Sequence, residues 1–188
     1  MNTLQPGLCV LGTRLPGCFN VFEMSVWAVL GQQITVKAAS TLAARLVAVY
    51  GTQVQTGIEG LTHSFPAPAA ILALGENISE HLGKLGIISA RANTIYQLAR
   101  VLADEKNDFG FCGNPEEEMQ KLQAIRGIGS WTAQYIAMRA MGWPDAFLPT
   151  DAGIKKALPD HTPKELQVLS EAWRPWRSYA TVNLWNTL

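Results

Sequence analysis

The sequence predicts an all-α protein built from short helices. Apolar residues recur at helical spacing in most segments, as with Ile95, Leu98 and Leu102. Signals for β-strands are weak, because alternation of apolar and polar residues never persists along the chain. Hydrophobic residues make up 48% of the 188 residues, which is enough to bury a core. We therefore expect one helical domain.

Glycines, prolines and capping residues divide the chain into successive segments. The predicted segments of the first half are a lead-in over residues 1–20, a helix over 21–50 that is interrupted near Gly31 and stops at Gly51, a loop over 57–68, short helices over 69–74 and 79–84, and a helix over 90–105 capped by Ser89. In the second half, Pro115 opens a helix over 116–124 with an acidic first turn that suits the helix dipole. Further helices are expected over 131–141, 152–158, 163–173 and 176–188.

The charge balance and the cysteines limit the classes of function. Fifteen Lys and Arg residues cancel fifteen Asp and Glu residues, so a purely electrostatic attraction to DNA is disfavoured. From Met119 onward, however, the chain has eight basic and five acidic residues, a surplus of three positive charges. The three cysteines, Cys9, Cys18 and Cys112, form no disulfide or metal-binding pattern, which favours a reduced, cytosolic compartment. We expect neither a signal peptide nor a membrane span.

The most informative motif is a helical hairpin over residues 122–133. Gly127 and Gly129 allow a tight turn that an anion can approach closely, just ahead of the N-terminus of a helix. Thr132 adds a hydroxyl in the first turn of that helix. Taken alone, two glycines between helices are typical of a simple tight connection. The flanking apolar residues Leu122 and Ile125 instead favour a hairpin that grips a phosphate group.

Asp151 and three aromatic residues are candidates for a site. Asp151 follows Leu148-Pro149-Thr150 before a helix, where it is either an N-cap or a carboxylate that stabilises a nearby cation. The two roles are compatible if only one carboxylate oxygen faces the backbone. Trp131 and Tyr135 share a helix face, and Trp185 lies near the end of the chain. Such rings stack a planar base or, alternatively, fill a core.

Polar residues at the break after Gly31 are a further candidate. Gln32 and Gln33 are suited to reach the edges of bases in a minor groove, and surface solvation is the alternative. The three histidines, His63, His81 and His161, lack the spacing of metal ligands, and we interpret them as solvated or capping residues.

Together these residues resemble the helix-hairpin-helix DNA glycosylases, and within them the branch of bacterial 3-methyladenine DNA glycosylase II. The resemblance extends from Leu15 to Trp185. The motifs that carry it are Leu15-Pro16-Gly17, Ala28-Val29-Leu30-Gly31-Gln32, Leu85-Gly86 with Arg91-Ala92, Ile128-Gly129-Ser130-Trp131-Thr132-Ala133, Phe147-Leu148-Pro149 with Asp151, and Trp173-Arg174-Pro175-Trp176-Arg177-Ser178-Tyr179-Ala180. It implies two helical lobes flanking a cleft, formed by residues 21–188, without the β-rich N-terminal domain that is usual in this branch.

The resemblance also implies a role for each candidate residue. Asp151 is the expected catalytic aspartate. The expected base pocket consists of Trp131, Tyr135 and Trp185, and the expected DNA contacts are Gly127, Gly129, Thr132 and the minor-groove wedge Gln33. No cofactor is expected to be required, but backbone carbonyls of Gln123, Ile125 and Ile128 are candidates to hold a structural monovalent cation.

The resemblance implies a monofunctional glycosylase that acts on double-stranded DNA containing alkylated bases, as a monomer in the bacterial cytosol. The nucleotide is flipped out, and Asp151 stabilises the oxocarbenium character that develops when the N-glycosidic bond breaks. Members that also cut the backbone carry a lysine where this chain has Trp131, so no strand cleavage is expected. The iron–sulfur branch is disfavoured because its cysteine loop is missing.

The same residues leave three functional alternatives open, and a fourth hypothesis concerns a longer protein. The chain is either an enzyme or a non-catalytic DNA-binding module of an alkylation-response regulator, which does not need Asp151. A weaker alternative is a helical scaffold without a role on DNA. A further hypothesis makes the chain the glycosylase part of a fusion with an alkyl-transfer regulator of the adaptive response.

Overall fold

The structure is a computed structural model that describes Met1 and residues 7–103 and 114–188. The chain divides into two compact units. Unit 1 comprises Met1–Phe19, Gly110–Gln120 and Gly129–Leu188, and unit 2 comprises Asn20–Phe109 and Lys121–Ile128. Both units are mainly helical, which confirms the all-α prediction.

Three helices of unit 2 pack around a fourth, which has a buried stripe. Its helices are α1 Val21–Leu30, α2 Val36–Tyr50, α3 Pro68–Leu72, α4 Ile78–Gly83 and α5 Ser89–Leu102. Helix α5 packs against α1, α3 and α4. Its buried stripe includes Ile95 and Leu98, which are fully buried, as the helical spacing predicted. This helix therefore forms the base on which α1, α3 and α4 are positioned.

Side-chain caps explain where the first two helices begin. The side chain of Asn20 accepts the amide of Glu23 at the start of α1, and Thr35 accepts the amide of Ala38 at the start of α2. The predicted break at Gly31 and stop at Gly51 are both confirmed. The predicted cap at Ser89 is wrong, because α5 already begins at Ser89 and no side chain caps it. The predicted end of this helix at residue 105 lies outside the described residues.

Unit 1 contains the C-terminal helices and the N-terminal segment. Its helices after the hairpin are α7 Ser130–Arg139, α8 Ala152–Ala157, α9 Pro163–Ser170 and α10 Arg177–Trp185, while the preceding α6 Pro115–Ala124 has residues in both units. The core of unit 1 gathers around Met138, Phe147 and Leu184. Leu8 of the predicted lead-in joins this core and is only 4% exposed. The N-terminal segment therefore packs as part of unit 1.

A buried ion-pair network fixes the start of α10. The guanidinium of Arg177, 4% exposed, donates to both oxygens of Asp145 at 2.8 and 2.9 Å. Arg174 binds the same carboxylate and also donates to Glu171 at 2.6 Å. The hydrogen bond from Arg174 holds the pKa of Glu171 below its usual range. The network ties the loop after α7 to the helix that carries Trp185.

Several element boundaries differ from the prediction. Two short strands, β1 Thr52–Gln53 and β2 His63–Ser64, pair antiparallel, and two-residue strands are too short to leave an alternating pattern in the sequence. The predicted helix over 163–173 becomes 3₁₀ after Ser170, and α10 starts at Arg177 rather than at Trp176. Within the described part of the chain, no helix combines the length and apolar character that a membrane crossing needs.

Candidate active site

Helix α7 places two aromatic rings on one face. Trp131 and Tyr135 are one turn apart, and their rings stack with centroids 5.2 Å apart and an interplanar angle of 10°. Both side chains are half-buried. Trp185 of α10 approaches from another element, with its ring centroid 6.3 Å from that of Tyr135. The three predicted aromatic residues therefore form one cluster in unit 1.

Asp151 lies at the start of α8 and caps it. Its Oδ1 accepts the amides of Gly153 at 2.9 Å and Ile154 at 3.1 Å. The amide of Asp151 donates to the carbonyl of the buried Leu148, which fixes the turn before the helix. One of the two carboxylate oxygens of Asp151 therefore acts as the N-cap of α8.

The two tryptophans of the cluster also hold Asp151. The indole N–H of Trp185 donates to Oδ1 at 2.9 Å, and that of Trp131 donates to Oδ2 at 3.1 Å. Only Oδ1 faces the backbone, so the cap leaves Oδ2 directed at the aromatic cluster. The condition under which capping and charge stabilisation are compatible is thus met. Four N–H donors surround the carboxylate and stabilise its negative charge.

Two further residues shape this cluster, and the sequence analysis did not find them. A Cβ on Gly153 would lie 2.7 Å from Cδ1 of Trp185, so only glycine allows the indole to approach the helix. Arg139, one turn after Tyr135, donates to the Tyr135 hydroxyl at 2.9 Å and to the carbonyl of Pro16 at 2.7 Å. The i, i+4 spacing of Tyr135 and Arg139 was the available signal.

The two glycines of the hairpin have different structural roles. Gly127, in unit 2, has a φ of +97°, and a Cβ there would lie 2.0 Å from Oγ1 of Thr94. Gly129, in unit 1, has an ordinary φ of −89° as N-cap of α7, and no heavy atom of the described residues beyond its chain neighbours lies within 4 Å of where its Cβ would be. The tight turn therefore requires glycine only at Gly127, and Gly129 leaves open space ahead of the helix. Thr132 is buried in the first turn of α7.

The predicted cation ligands lie at the end of α6 and in the turn that follows. The carbonyl of Ile125 already accepts the amide of Ile128 at 3.0 Å, which leaves its second lone pair for an ion. The cation site at the carbonyls of Gln123, Ile125 and Ile128 stays a prediction. Among the described residues, no three His, Cys, Asp or Glu side chains are grouped as metal ligands.

Gln33 has an unusual backbone conformation. It lies in the turn between α1 and α2 in unit 2, is exposed, and has a φ of +54°. Of the residues other than glycine in the described ranges, it is the one with a positive φ. Such conformations are sparsely populated and concentrate at functional sites. The predicted wedge residue is therefore presented on a specific, strained turn.

Comparison with protein families identifies the class of this chain. The model of the HhH-GPD superfamily of base excision DNA repair proteins matches residues 26–177. The chain is 38% identical over 187 residues to DNA-3-methyladenine glycosylase 2 of Escherichia coli K12, and covers 100% of its own length and 63% of that protein. It is 41% identical over 182 residues to the "probable bifunctional transcriptional activator/DNA repair enzyme AlkA" of Mycobacterium tuberculosis CDC 1551, of which it covers 35%. The chain thus spans less than two thirds of each relative.

Solved structures share the fold. The 3-methyladenine DNA glycosylase from Archaeoglobus fulgidus superposes with a TM-score of 0.76 at 25% identity, over 90% of this chain and 58% of that one. The Schizosaccharomyces pombe 3-methyladenine DNA glycosylase Mag1, solved in complex with abasic DNA, gives a TM-score of 0.74 at 21% identity, over 93% of this chain and 84% of that one.

Proposed function

This chain belongs to the HhH-GPD superfamily of base excision DNA repair proteins, and from that premise we propose that it hydrolyses the N-glycosidic bond of alkylated purines in double-stranded DNA. The observation that carries the proposal is the carboxylate of Asp151, which is held by Trp131 and Trp185 beside the ring of Tyr135. A negative charge and aromatic rings are the two components that removal of a cationic base requires.

The aromatic cluster supports binding of an extruded base. A glycosylase must rotate the target nucleotide out of the stack, and planar rings recover part of the lost stacking energy. An alkylated purine carries positive charge, which the π faces of Trp131 and Trp185 attract. Trp131 and Tyr135 are already stacked on each other, so the pair is preorganised as a rigid wall.

Asp151 supports the chemical step. Bond breaking between the base and the sugar develops oxocarbenium character at the sugar carbon, and the leaving base takes the electron pair of the bond. A fixed carboxylate nearby stabilises that positive charge, and it also orients the water that attacks the sugar. The backbone cap fixes Oδ1 in place, so Oδ2 is the oxygen that we assign to the sugar and the water.

We further propose that the reaction is hydrolysis alone, without strand cleavage. By the family resemblance, the glycosylases that also cut the backbone have a lysine at the position of Trp131. The indole of Trp131 has no amine with which to form a Schiff base. The N–H of Trp131 instead donates to Asp151. No cofactor is assigned, because a cationic purine is already a good leaving group and water is the nucleophile.

The proposed DNA contacts combine the hairpin with the Gln33 turn. Open space around Gly129 allows a phosphate to approach the N-terminus of α7. Because the net charge of the chain is zero, amides rather than lysines and arginines supply much of the grip. We therefore expect the affinity for DNA to depend modestly on salt concentration.

The test is release of free base from a methylated duplex. Wild-type protein is incubated with methylated DNA, released purines are separated by chromatography, and the strands are run on a denaturing gel without alkali. We expect free methylated purine and intact strands. Absence of released base, together with binding to an abasic-site duplex, would support the non-catalytic regulator module instead. Strand breaks without alkali, or a covalent protein–DNA adduct formed when borohydride reduces a Schiff base, would overturn the assignment as a monofunctional enzyme.

A further inference from the structure

Three side chains of unit 2 connect the Gln33 turn to the hairpin. The amide Nε2 of Gln32 donates to the carbonyl of Gly127 at 3.0 Å, across 95 residues of sequence. The guanidinium of Arg91, on α5, donates to the backbone carbonyl of Gln32. Gln32 therefore contacts the hairpin through its side chain and α5 through its backbone, and it directly precedes Gln33.

Helix α5 also holds the hairpin itself. Thr94 lies one turn after Arg91, is 3% exposed, and has its hydroxyl 3.0 Å from the carbonyl of Arg126 and 2.9 Å from that of Ala90. The hydroxyl has one proton, so it donates to one of these carbonyls at a time. The close approach of Thr94 to Gly127 leaves no room for a Cβ there. One face of α5 thus fixes both the hairpin and the turn that presents Gln33.

We infer that Gln32, Arg91 and Thr94 form a clamp within unit 2 that makes the Gln33 wedge and the Arg126–Gly127 turn of the hairpin move as one body. The inference rests on the proposed function and assigns these three residues as positioning residues. Inserting a side chain into a base stack requires the neighbouring bases to unstack, which is energetically unfavourable. A wedge on a loose turn would be displaced by the bases, whereas a wedge fixed to the Arg126–Gly127 turn keeps its position in the stack.

The same clamp explains how Gln33 keeps its strained conformation. A positive φ outside glycine persists only when neighbouring contacts over-determine it. The Arg91 bond to the carbonyl of Gln32 constrains the peptide that joins Gln32 to Gln33. The Gln32 side chain constrains the same residue from the hairpin side. Loss of the side-chain amide of Gln32 is therefore expected to free Gln33 from its fixed conformation. Unit 2 should stay folded, because Gln32 is only half-buried.

The experiment replaces Gln32 with methionine, which keeps the length of the side chain and removes its hydrogen bonds. Gln97→Met is the matched control, because Gln97 is also half-buried in unit 2 and its Oε1 accepts a hydrogen bond from Arg100, at 3.4 Å, rather than binding the hairpin. The readouts are single-turnover base release, affinity for undamaged duplex, thermal unfolding, and fluorescence of 2-aminopurine next to an abasic-site analogue. The fluorescence reports unstacking and does not require base release.

For Gln32→Met we expect base release to fall roughly three- to tenfold and the 2-aminopurine signal to fall with it, as for the loss of one oriented hydrogen bond. Affinity for undamaged duplex and the unfolding temperature should stay at the values of Gln97→Met. In a Gln33→Ala background, Gln32→Met should have no further effect, because the wedge that it positions is gone.

Two results would overturn the clamp. In one of them, Gln32→Met and Gln33→Ala lower the rate of base release additively, which would mean that the two residues act independently. The other is an unchanged 2-aminopurine signal in Gln32→Met. If wild-type protein releases no base but Gln32→Met still lowers the fluorescence, the proposed function fails and the clamp stands, so the two failures are distinguishable.

Discussion

Replacing Gly127 with alanine tests the account of the hairpin at the level of folding. The backbone of Gly127 has a φ of +97°, and a Cβ would lie 2.0 Å from Oγ1 of Thr94 and 3.2 Å from its Cβ. Thr94 is buried on α5 and cannot rotate away into solvent. Alanine at this position therefore meets both backbone strain and a steric clash.

The magnitude follows from these two contributions. Holding a residue with a Cβ at such a φ costs about 1–2 kcal/mol. Displacing Thr94 breaks its hydrogen bond to the carbonyl of Arg126, which costs about 1 kcal/mol more, with repacking in addition. The sum is about 2–4 kcal/mol. For a chain of this length, that corresponds to a fall of roughly 5–15 °C in unfolding temperature.

The assay is thermal unfolding followed by circular dichroism, with Gly129→Ala as the matched control. In the part of the chain that the structure describes, a Cβ at Gly129 meets no heavy atom within 4 Å except in its chain neighbours, and its φ of −89° suits alanine. We expect Gly129→Ala to unfold at the wild-type temperature and to bind an abasic-site duplex more weakly, because its methyl group stands where the phosphate approaches. Equal unfolding temperatures for Gly127→Ala and wild type would refute the reasoning.

Three other substitutions test separate parts of the structure. Arg177→Met leaves Asp145 buried beside a half-exposed Arg174 and should destabilise the fold by about 3–5 kcal/mol in urea unfolding. A smaller loss of unfolding free energy for Arg177→Met than for Arg174→Met would contradict the central role of Arg177 in the network. Trp185→Phe keeps an aromatic ring but removes a donor to Asp151, so kcat/KM should fall roughly tenfold at unchanged stability; unaltered kcat/KM would mean that the indole N–H does not position Asp151. Arg139→Gln removes a positive charge 5.6 Å from the Tyr135 ring and should raise release of cationic 7-methylguanine relative to neutral hypoxanthine by roughly threefold; a constant ratio argues against an electrostatic role.

The sequence predicted the parts of the site that depend on local order along the chain. The break at Gly31, the helix that follows the hairpin, and the aromatic pair at Trp131 and Tyr135 all follow from spacing within a few residues. Asp151 was assigned both a capping and a charge-stabilising role, and the structure shows how one carboxylate can combine them. The functional roles themselves stay predictions until activity is measured.

Contacts between distant residues were not predictable from spacing. The bonds from Gln32 to Gly127 and from Arg139 to Pro16 join residues 95 and 123 positions apart, and no periodic pattern encodes them. The need for glycine at Gly153 depends on where Trp185 lies, which only the packing of α10 decides. The Ser89 cap failed because the residue is a capping type that falls within the first turn of α5.

The central claim is that the charge of Asp151 lowers the barrier to base release, and Asp151→Asn tests it most directly. Asparagine caps helices as well as aspartate does, so α8 should be retained. A carboxylate about 4 Å from a developing positive charge contributes about 4 kcal/mol at an effective dielectric constant of about 20, which corresponds to a rate factor of about 10³.

The measurement is the single-turnover rate of base release from methylated duplex by wild type, Asp151→Asn and Asp160→Asn, the last being an exposed aspartate of the same unit. The account predicts a loss of about 10³ for Asp151→Asn, with unchanged rates for Asp160→Asn and similar unfolding temperatures for all three proteins. A rate for Asp151→Asn within about tenfold of wild type would contradict the claim that its charge drives the reaction.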